Sequence, residues 1–150
     1  MGNRWGNSGT RDDDQGKRAD QSLIPDIISL YRDNNDNSYK CIISDAKYYN
    51  LTLERTKRLS GNPGVESVTK QYLYQMAYKE FLEEHHISFF RNCFLMPTEQ
   101  DYVINKGTVV MTFLKNAGLA DIQIRMLPAK LVYECYLENR KMDIKDLGLW

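Results

Sequence analysis

The sequence has few residues of the kinds that build covalent or metal-bound frameworks. Its three cysteines, Cys41, Cys93 and Cys135, are far apart and have no histidine at zinc-ligand spacing. An odd number of separated cysteines argues against a disulfide framework and predicts reduced, mostly buried thiols in the cytoplasm or nucleus. We therefore expect the chain to fold without a metal, a disulfide or a cofactor.

The sequence also lacks a long hydrophobic run and an excess of either charge. Its 20 basic and 20 acidic residues give a formal net charge of zero. The apolar runs are short and interrupted by polar residues, and the N-terminus lacks an apolar signal-peptide core. We expect no membrane contact, and any attraction to a charged partner has to come from a local patch.

No common catalytic motif occurs in the chain. The glycine and lysine pattern of a P-loop, the glycines of a Rossmann fold, G-x-S-x-G and H-E-x-x-H are all missing. The two histidines, His85 and His86, are adjacent, so they do not form the i, i+4 pair of a helical metal site. The sequence predicts a protein that is not an enzyme, although residues dispersed along the chain keep an enzyme as a third hypothesis.

The chain divides into a polar arm and one domain. Residues 1–22 hold four of the nine glycines and only Met1, Trp5 and Ala19 as apolar residues. Such a segment cannot bury enough surface to offset its conformational entropy, so we predict a flexible arm. The remaining residues, 23–150, are long enough for a single hydrophobic core.

Apolar residues from Leu23 onward recur mostly at steps of three and four, which is typical of helices. Pro25 falls at a first-turn position, and the segment 61–64 (Gly-Asn-Pro-Gly) separates two long helical patterns. We therefore predict an all-α fold, a compact bundle of six to eight short helices. The predicted helices cover residues 24–32, 39–50 or onward to 59, 65–85, 87–96, 98–105, 108–117 and 128–141.

One region fits two structures. Residues 102–113 can form helices, or a hairpin in which 102–104 pairs with 108–113 around Asn105-Lys106-Gly107. Val109/Val110 and Phe113/Leu114 fall at helical rather than alternating spacing, which favours helices.

The most distinctive segment is 39–79, which holds six of the ten tyrosines and seven basic residues against three acidic ones. Its local charge is therefore about +4 in a chain with no net charge. Cations between aromatic rings suit a nucleic acid, because the cations replace counterions on the phosphates while the rings stack on bases. The same composition also suits an ordinary helical core with a solvated outer face.

Residues 42–62 can also be aligned with a helix-turn-helix, with Ala46 as the small packing residue and Asn50 in the turn. Asp45 and Thr56 stand where that motif usually has apolar residues. We predict a non-catalytic, helix-turn-helix-like protein that binds DNA or RNA. The predicted nucleic-acid-binding residues are Lys47, Tyr48, Tyr49, Arg55, Lys57, Arg58 and Lys70.

The alternative is a protein–protein adaptor or assembly subunit without nucleic-acid contact. Its helices rich in tyrosine, phenylalanine and methionine would bind a protein partner or a second copy of the chain. The sequence does not decide between the two functions.

Overall fold

A computed structural model describes residues 24–48, 52–53, 59–60 and 63–150 of the chain. The arm predicted for residues 1–22 lies outside these ranges. In chain order the elements are β1 (Ile27–Arg32), β2 (Tyr39–Ala46), β3 (Thr52–Leu53), β4 (Leu59–Ser60), α1 (Val65–Glu84), β5 (Phe89–Thr98), β6 (Ile104–Val109), α2 (Thr112–Lys115), β7 (Ile122–Pro128), α3 (Ala129–Leu137) and a 3-10 turn (Ile144–Leu147).

A five-stranded mixed sheet forms the centre of the fold, in the order β1-β2-β5-β7-β6. The three central strands β2, β5 and β7 run parallel, and the edge strands β1 and β6 pair antiparallel to their neighbours. The short strands β3 and β4 pair with each other. The fold is therefore mixed α/β, and the prediction of an all-α bundle is wrong.

Helix α1 lies in the crossover from β2 to the parallel strand β5 and covers one face of the sheet. Its residues Val68 and Tyr72 pack with Phe94 of β5 and Ile122 of β7. Tyr74, two residues further along the same helix, packs with Cys41 and Ile43 of β2. Because side chains alternate along a strand, odd-numbered residues of β2 point toward α1.

The opposite face of the sheet is covered by the C-terminal segment and α3. Leu147 and Leu149 pack against Ile42 and Cys93. The buried guanidinium of Arg125 holds this segment in place through its hydrogen bonds to backbone carbonyls, with 2.7 Å from Nε to Leu147 O and 3.0 Å from a terminal nitrogen to Gly148 O.

Three predicted helices, 24–32, 39–50 and 87–96, are instead strands β1, β2 and β5. Strands β2 and β5 are buried on both faces, so apolar residues such as Cys41, Ile42 and Ile43 follow one another without the alternation that marks a half-buried strand. Such short runs fit helical and strand spacing equally well. Partner strands distant in sequence decide the outcome, as in the pairing of Ile43 with Asn92.

The region 98–113 fits neither of its two predicted forms. Residues Ile104–Val109 form one strand, β6, which pairs with β7 rather than folding on itself. A bulge interrupts the register between Asn105 and Gly107, and Gly107 has a φ of +99°, a conformation that glycine adopts readily. The helix predicted from Thr108 is reduced to the single turn α2.

Two predicted helices are present with shifted ends. The helix predicted over 65–85 is α1, and the helix predicted from Pro128 to Lys141 is α3, which ends at Leu137. None of the helices in the described part of the chain is long and apolar enough to cross a membrane.

Candidate active site

Two carboxylates and an ammonium group meet where β1 begins and β2 ends. Asp26 directly precedes β1, Asp45 is the second-last residue of β2, and Lys47 follows that strand. The antiparallel pairing of β1 and β2 ends at Ile27 and Ser44, so Asp26 and Asp45 are the next residues beyond that last pair. Asp45, like the other odd-numbered residues of β2, points toward α1, and both carboxylates act electrostatically on Lys70 of that helix. The two carboxylates therefore lie on the side of the sheet that α1 covers.

Backbone and side-chain contacts connect these three groups. The Ala46 backbone N–H donates a hydrogen bond to Asp26 Oδ2 over 2.9 Å. Lys47 Nζ forms an ion pair with Asp45 Oδ2. The Asp45 side chain is only 5% exposed and that of Lys47 17%, whereas Asp26 is exposed. The site thus opens to solvent on the side of Asp26 and is closed beneath Asp45.

Lys47 rests on the hydrophobic core. Its ammonium lies 5.9 Å from the ring centroid of Phe94, a fully buried residue of the cluster beneath α1. A cation over an aromatic face is attracted by the ring's electron density, and its stem is covered by the apolar surroundings. These contacts and the ion pair to Asp45 fix the direction of the ammonium.

Helix α1 contributes a second cation and a buried tyrosine. The Tyr74 hydroxyl donates a hydrogen bond over 3.0 Å to the carbonyl of Ile24, two residues before Asp26. The exposed Lys70 places its ammonium 5.6 Å from the centroid of the Tyr74 ring. A hydrogen bond to Tyr74 raises the pKa of Lys70, and the negative charges of Asp45 and Asp26 add to that shift. Lys70 therefore lies within electrostatic reach of both carboxylates.

A buried amide fastens the helix to the strands below the site. Gln71, only 1% exposed, donates from Nε2 to the Ile43 carbonyl over 2.8 Å and to Asn92 Oδ1 over 3.3 Å. Asn92 in turn donates to Gln75 Oε1 over 3.0 Å. Buried polar groups that are paired in this way fix the separation of neighbouring elements. Gln71 and Gln75 hold α1 against β2 and β5. The contact with β2 is at Ile43, two residues before Asp45.

The oxygen atoms of Asp26 and Asp45 suit a hard divalent cation. The part of the chain that the structure describes contains no cluster of three or more Asp, Glu, His or Cys side chains that could enclose a metal. Mg²⁺ does not require such a cage, because it usually keeps several waters and binds through one or two carboxylates together with substrate phosphates. Two carboxylates on one face, one of them open to solvent, fit that mode of binding.

On the opposite face, next to the end of β2, lies an apolar groove of about 430 Å³. Lys47 borders this groove as well as the carboxylates. The aromatic residues that line the groove are largely exposed: Tyr48 by 88%, Tyr133 by 63% and Tyr136 by 80%.

Three of the seven predicted nucleic-acid-binding residues lie in the described ranges. Lys47 forms an ion pair with Asp45, Lys70 lies within electrostatic reach of both carboxylates, and Tyr48 is exposed at the apolar groove on the opposite face. The other four, Tyr49, Arg55, Lys57 and Arg58, lie outside the described residues. The helix-turn-helix alignment is wrong, because its first helix is strand β2 and residues 52–53 and 59–60 are strands too.

Asp26 and Asp45 were not among the predicted site residues. Asp45 counted only as a misfit to the helix-turn-helix motif, and Asp26 was placed in the first turn of a helix. The signal that could have found them is an acidic residue before one strand and an Asp-x-Lys sequence at the end of the next. That pattern has meaning only if both segments are strands of one hairpin, which was not predicted.

Comparisons with known proteins relate the chain to restriction enzymes. The family model described as "LlaJI restriction endonuclease" matches residues 4–133. The chain is 35% identical over 132 residues to the Type II restriction enzyme BsuMI component YdjA of Bacillus subtilis (strain 168). That alignment covers 85% of this chain and 26% of the relative, so the chain spans about a quarter of the relative's length. No solved structure matches the chain significantly.

These matches overturn the predicted function. The chain was predicted to be non-catalytic because no short motif indicated catalysis, with nucleic-acid binding as the first function and a protein–protein adaptor as the alternative. That prediction is wrong, because the family is one of nucleases. The family match extends over most of the chain, including α1 and the seven strands of its described part. The chain belongs to the LlaJI restriction endonuclease family.

Proposed function

We propose that this chain carries the hydrolytic centre of a DNA-cleaving restriction endonuclease, formed by Asp26, Asp45 and Lys47. The observation that supports this proposal is that the three groups come together where β1 begins and β2 ends. They are linked through the Ala46 N–H and the Asp45–Lys47 ion pair. The reaction is the attack of water on a DNA phosphodiester. One phosphorus–oxygen bond forms and another breaks, leaving one strand end with a phosphate and the other with a hydroxyl.

Asp26 and Asp45 would hold a divalent cation through their carboxylate oxygens. Such a cation lowers the pKa of bound water and neutralises charge on the phosphoryl oxygens. The exposed Asp26 leaves an approach for the phosphate, while the nearly buried Asp45 forms the floor of the site.

Lys47 supplies a fixed positive charge beside the carboxylates. The negative charge on the phosphoryl oxygens increases as water attacks, and a preoriented cation in a partly desolvated site stabilises that charge without reorganisation. Its contacts with Asp45 and Phe94 provide this orientation before substrate binds. In this proposal Lys47 stabilises charge on the phosphate that reacts, whereas a distant lysine would only bind the DNA backbone.

We further propose that DNA approaches along the exposed side of Asp26, with Lys70 and Tyr48 as additional contacts. Lys70 is exposed and within reach of the site, and Tyr48 offers an open ring for stacking. Tyr49, Arg55, Lys57 and Arg58 remain predicted contacts. DNA is the proposed substrate, and the cytoplasm is the proposed location, as cysteine usage also predicts.

The experiment that tests this function is cleavage of supercoiled plasmid DNA by the full chain in Mg²⁺, with EDTA as the metal-free control. We expect nicked and linear DNA from the wild type and intact plasmid from Asp45→Asn. Asp36→Asn is the matched control, because Asp36 is an exposed aspartate in the turn at the other end of β1 and β2. Intact plasmid with the wild type, or equal cleavage by Asp45→Asn, would contradict the proposal.

A further inference from the structure

The segment that carries Asp26 is held outside the sheet ladder. Pairing between β1 and β2 begins at Ile27, so the strand hydrogen bonds do not fix residues 24–26. Among the described residues, two hydrogen bonds hold this segment: Ala46 N–H to Asp26 Oδ2, and the Tyr74 hydroxyl to Ile24 O. The first depends on the carboxylate itself, so the second is the independent anchor.

Tyr74 is well suited to be that anchor. Its side chain is fully buried between α1 and the sheet, where it packs against Cys41 and Ile43. Close packing holds its ring in one position, so the 3.0 Å hydrogen bond from its hydroxyl fixes the carbonyl of Ile24. Pro25, the buried residue between Ile24 and Asp26, restricts the backbone on both sides.

We propose that Tyr74 is a positioning residue that sets the location of the Asp26 carboxylate relative to Asp45. The ammonium of Lys70 lies 5.6 Å from the centroid of the Tyr74 ring, and this cation–π contact helps to hold the ring in place. A shift of about 1 Å at a reacting group can reduce a rate by about 10²-fold, so a single hydroxyl in this place affects metal binding and rate. The inference rests on the proposed hydrolytic function.

The test compares two buried tyrosines of the same helix. Tyr74→Phe removes only the hydroxyl that reaches Ile24. Tyr72→Phe is the matched control, because Tyr72 is also buried and its hydroxyl accepts from Met111 N over 3.3 Å, away from the carboxylates. Both variants keep the aromatic ring and its packing, and a thermal melt checks that each is folded.

The first readout needs neither metal nor DNA. Hydrogen exchange of the Ala46 amide, measured by NMR in the metal-free protein, reports the bond from Ala46 to Asp26. We expect exchange about tenfold faster in Tyr74→Phe, the effect of one lost hydrogen bond, and unchanged in Tyr72→Phe. Pro25→Gly should accelerate the same amide by loosening the same segment. Equal protection of Ala46 in wild type and Tyr74→Phe would overturn the inference.

The second readout is the Mg²⁺ concentration that gives half-maximal plasmid cleavage. We expect it to rise about tenfold in Tyr74→Phe and to stay unchanged in Tyr72→Phe, since a displaced Asp26 weakens only the metal site. Equal Mg²⁺ dependence in wild type and Tyr74→Phe, with Asp45→Asn inactive, would overturn the role of Tyr74 and leave the hydrolytic function standing. An inactive wild type would instead contradict the function.

Discussion

The Ala46 backbone N–H donates to Asp26 Oδ2 over 2.9 Å, which ties the start of β1 to the end of β2. Ala46 lies between Asp45 and Lys47 in the sequence. The one contact therefore brings a carboxylate from 19 residues earlier next to a carboxylate and an ammonium that the strand already holds together. Both aspartates belong to one site because of this relationship.

Lys47→Ala should reduce the rate of DNA cleavage by about 10²-fold, the usual effect of removing one group that stabilises charge in a transition state. DNA binding should fall far less, because Lys47 is a single cation. Single-turnover cleavage and a gel-shift titration measure the two quantities separately.

Lys79→Ala is the control for this substitution, since Lys79 is exposed on α1 and forms a surface ion pair with Glu83 at 3.8 Å. A loss of DNA binding in Lys47→Ala as large as its loss of cleavage would contradict a role in the chemical step.

The buried pair of Asp33 and Lys40 should make stability depend on pH. The hydrogen bond from Lys40 holds the pKa of Asp33 below its ordinary value, and the bond from Asn35 N–H lowers it further. A carboxyl with a lowered folded-state pKa stabilises the fold above its ordinary pKa of about 4, and this contribution is lost as the pH falls below that value.

We therefore expect the melting temperature of the wild type to fall more steeply than that of Asp33→Asn as the pH is lowered from about 4 to about 2. Asp101→Asn, at an exposed position, should follow the wild type. Parallel curves for wild type and Asp33→Asn would show that the pair contributes nothing to acid stability.

Arg125→Met should destabilise the protein by about 3 kcal/mol, because it leaves buried carbonyls without their charged donor. Arg125 is 3% exposed and donates to Leu147 O, Gly148 O and Asn105 Oδ1. Urea unfolding measures the change.

The surface substitution Arg140→Met is the control and should cost about 0.5 kcal/mol or less, since it removes only an exposed pair with Glu138. A similar small cost for Arg125→Met would refute its role as an anchor of the C-terminal segment.

Cys93 and Cys41 should resist alkylation in the folded protein. Burial raises the pKa of Cys93 to about 12 and that of Cys41 to about 11. Only the thiolate reacts, so at pH 8 a thiol of pKa 12 is reactive in about one molecule in ten thousand. Iodoacetamide and mass spectrometry should find both thiols unmodified in buffer and modified in urea. Fast modification in buffer would contradict their burial.

The helices with local start signals could be predicted from the sequence. Gly64 and Pro63 precede α1, and Pro128 precedes α3, so the starts of both helices depend on nearby residues alone. Strand β2 has no such signal. Its apolar residues Ile42 and Ile43 face opposite sides of the sheet, and both are buried because other elements cover each side.

The candidate site shows the same limit. Local charge and aromatic content led to Lys47 and Lys70, because both belong to a basic segment that is visible in the sequence. Asp26 and Asp45 come close together only because β1 and β2 pair in an antiparallel arrangement. A helical interpretation separates the two aspartates, so the carboxylates could not be recognised as a pair.

The most direct measurement is the single-turnover cleavage rate of Asp26→Asn, Asp45→Asn and the double variant, with Asp36→Asn as control. Groups that act as one catalytic unit are strongly non-additive. We expect each single substitution to abolish most of the rate and the double variant to lose no more than either. Wild-type rates in either single variant, or losses that multiply in the double variant, would contradict a common hydrolytic centre of Asp26 and Asp45.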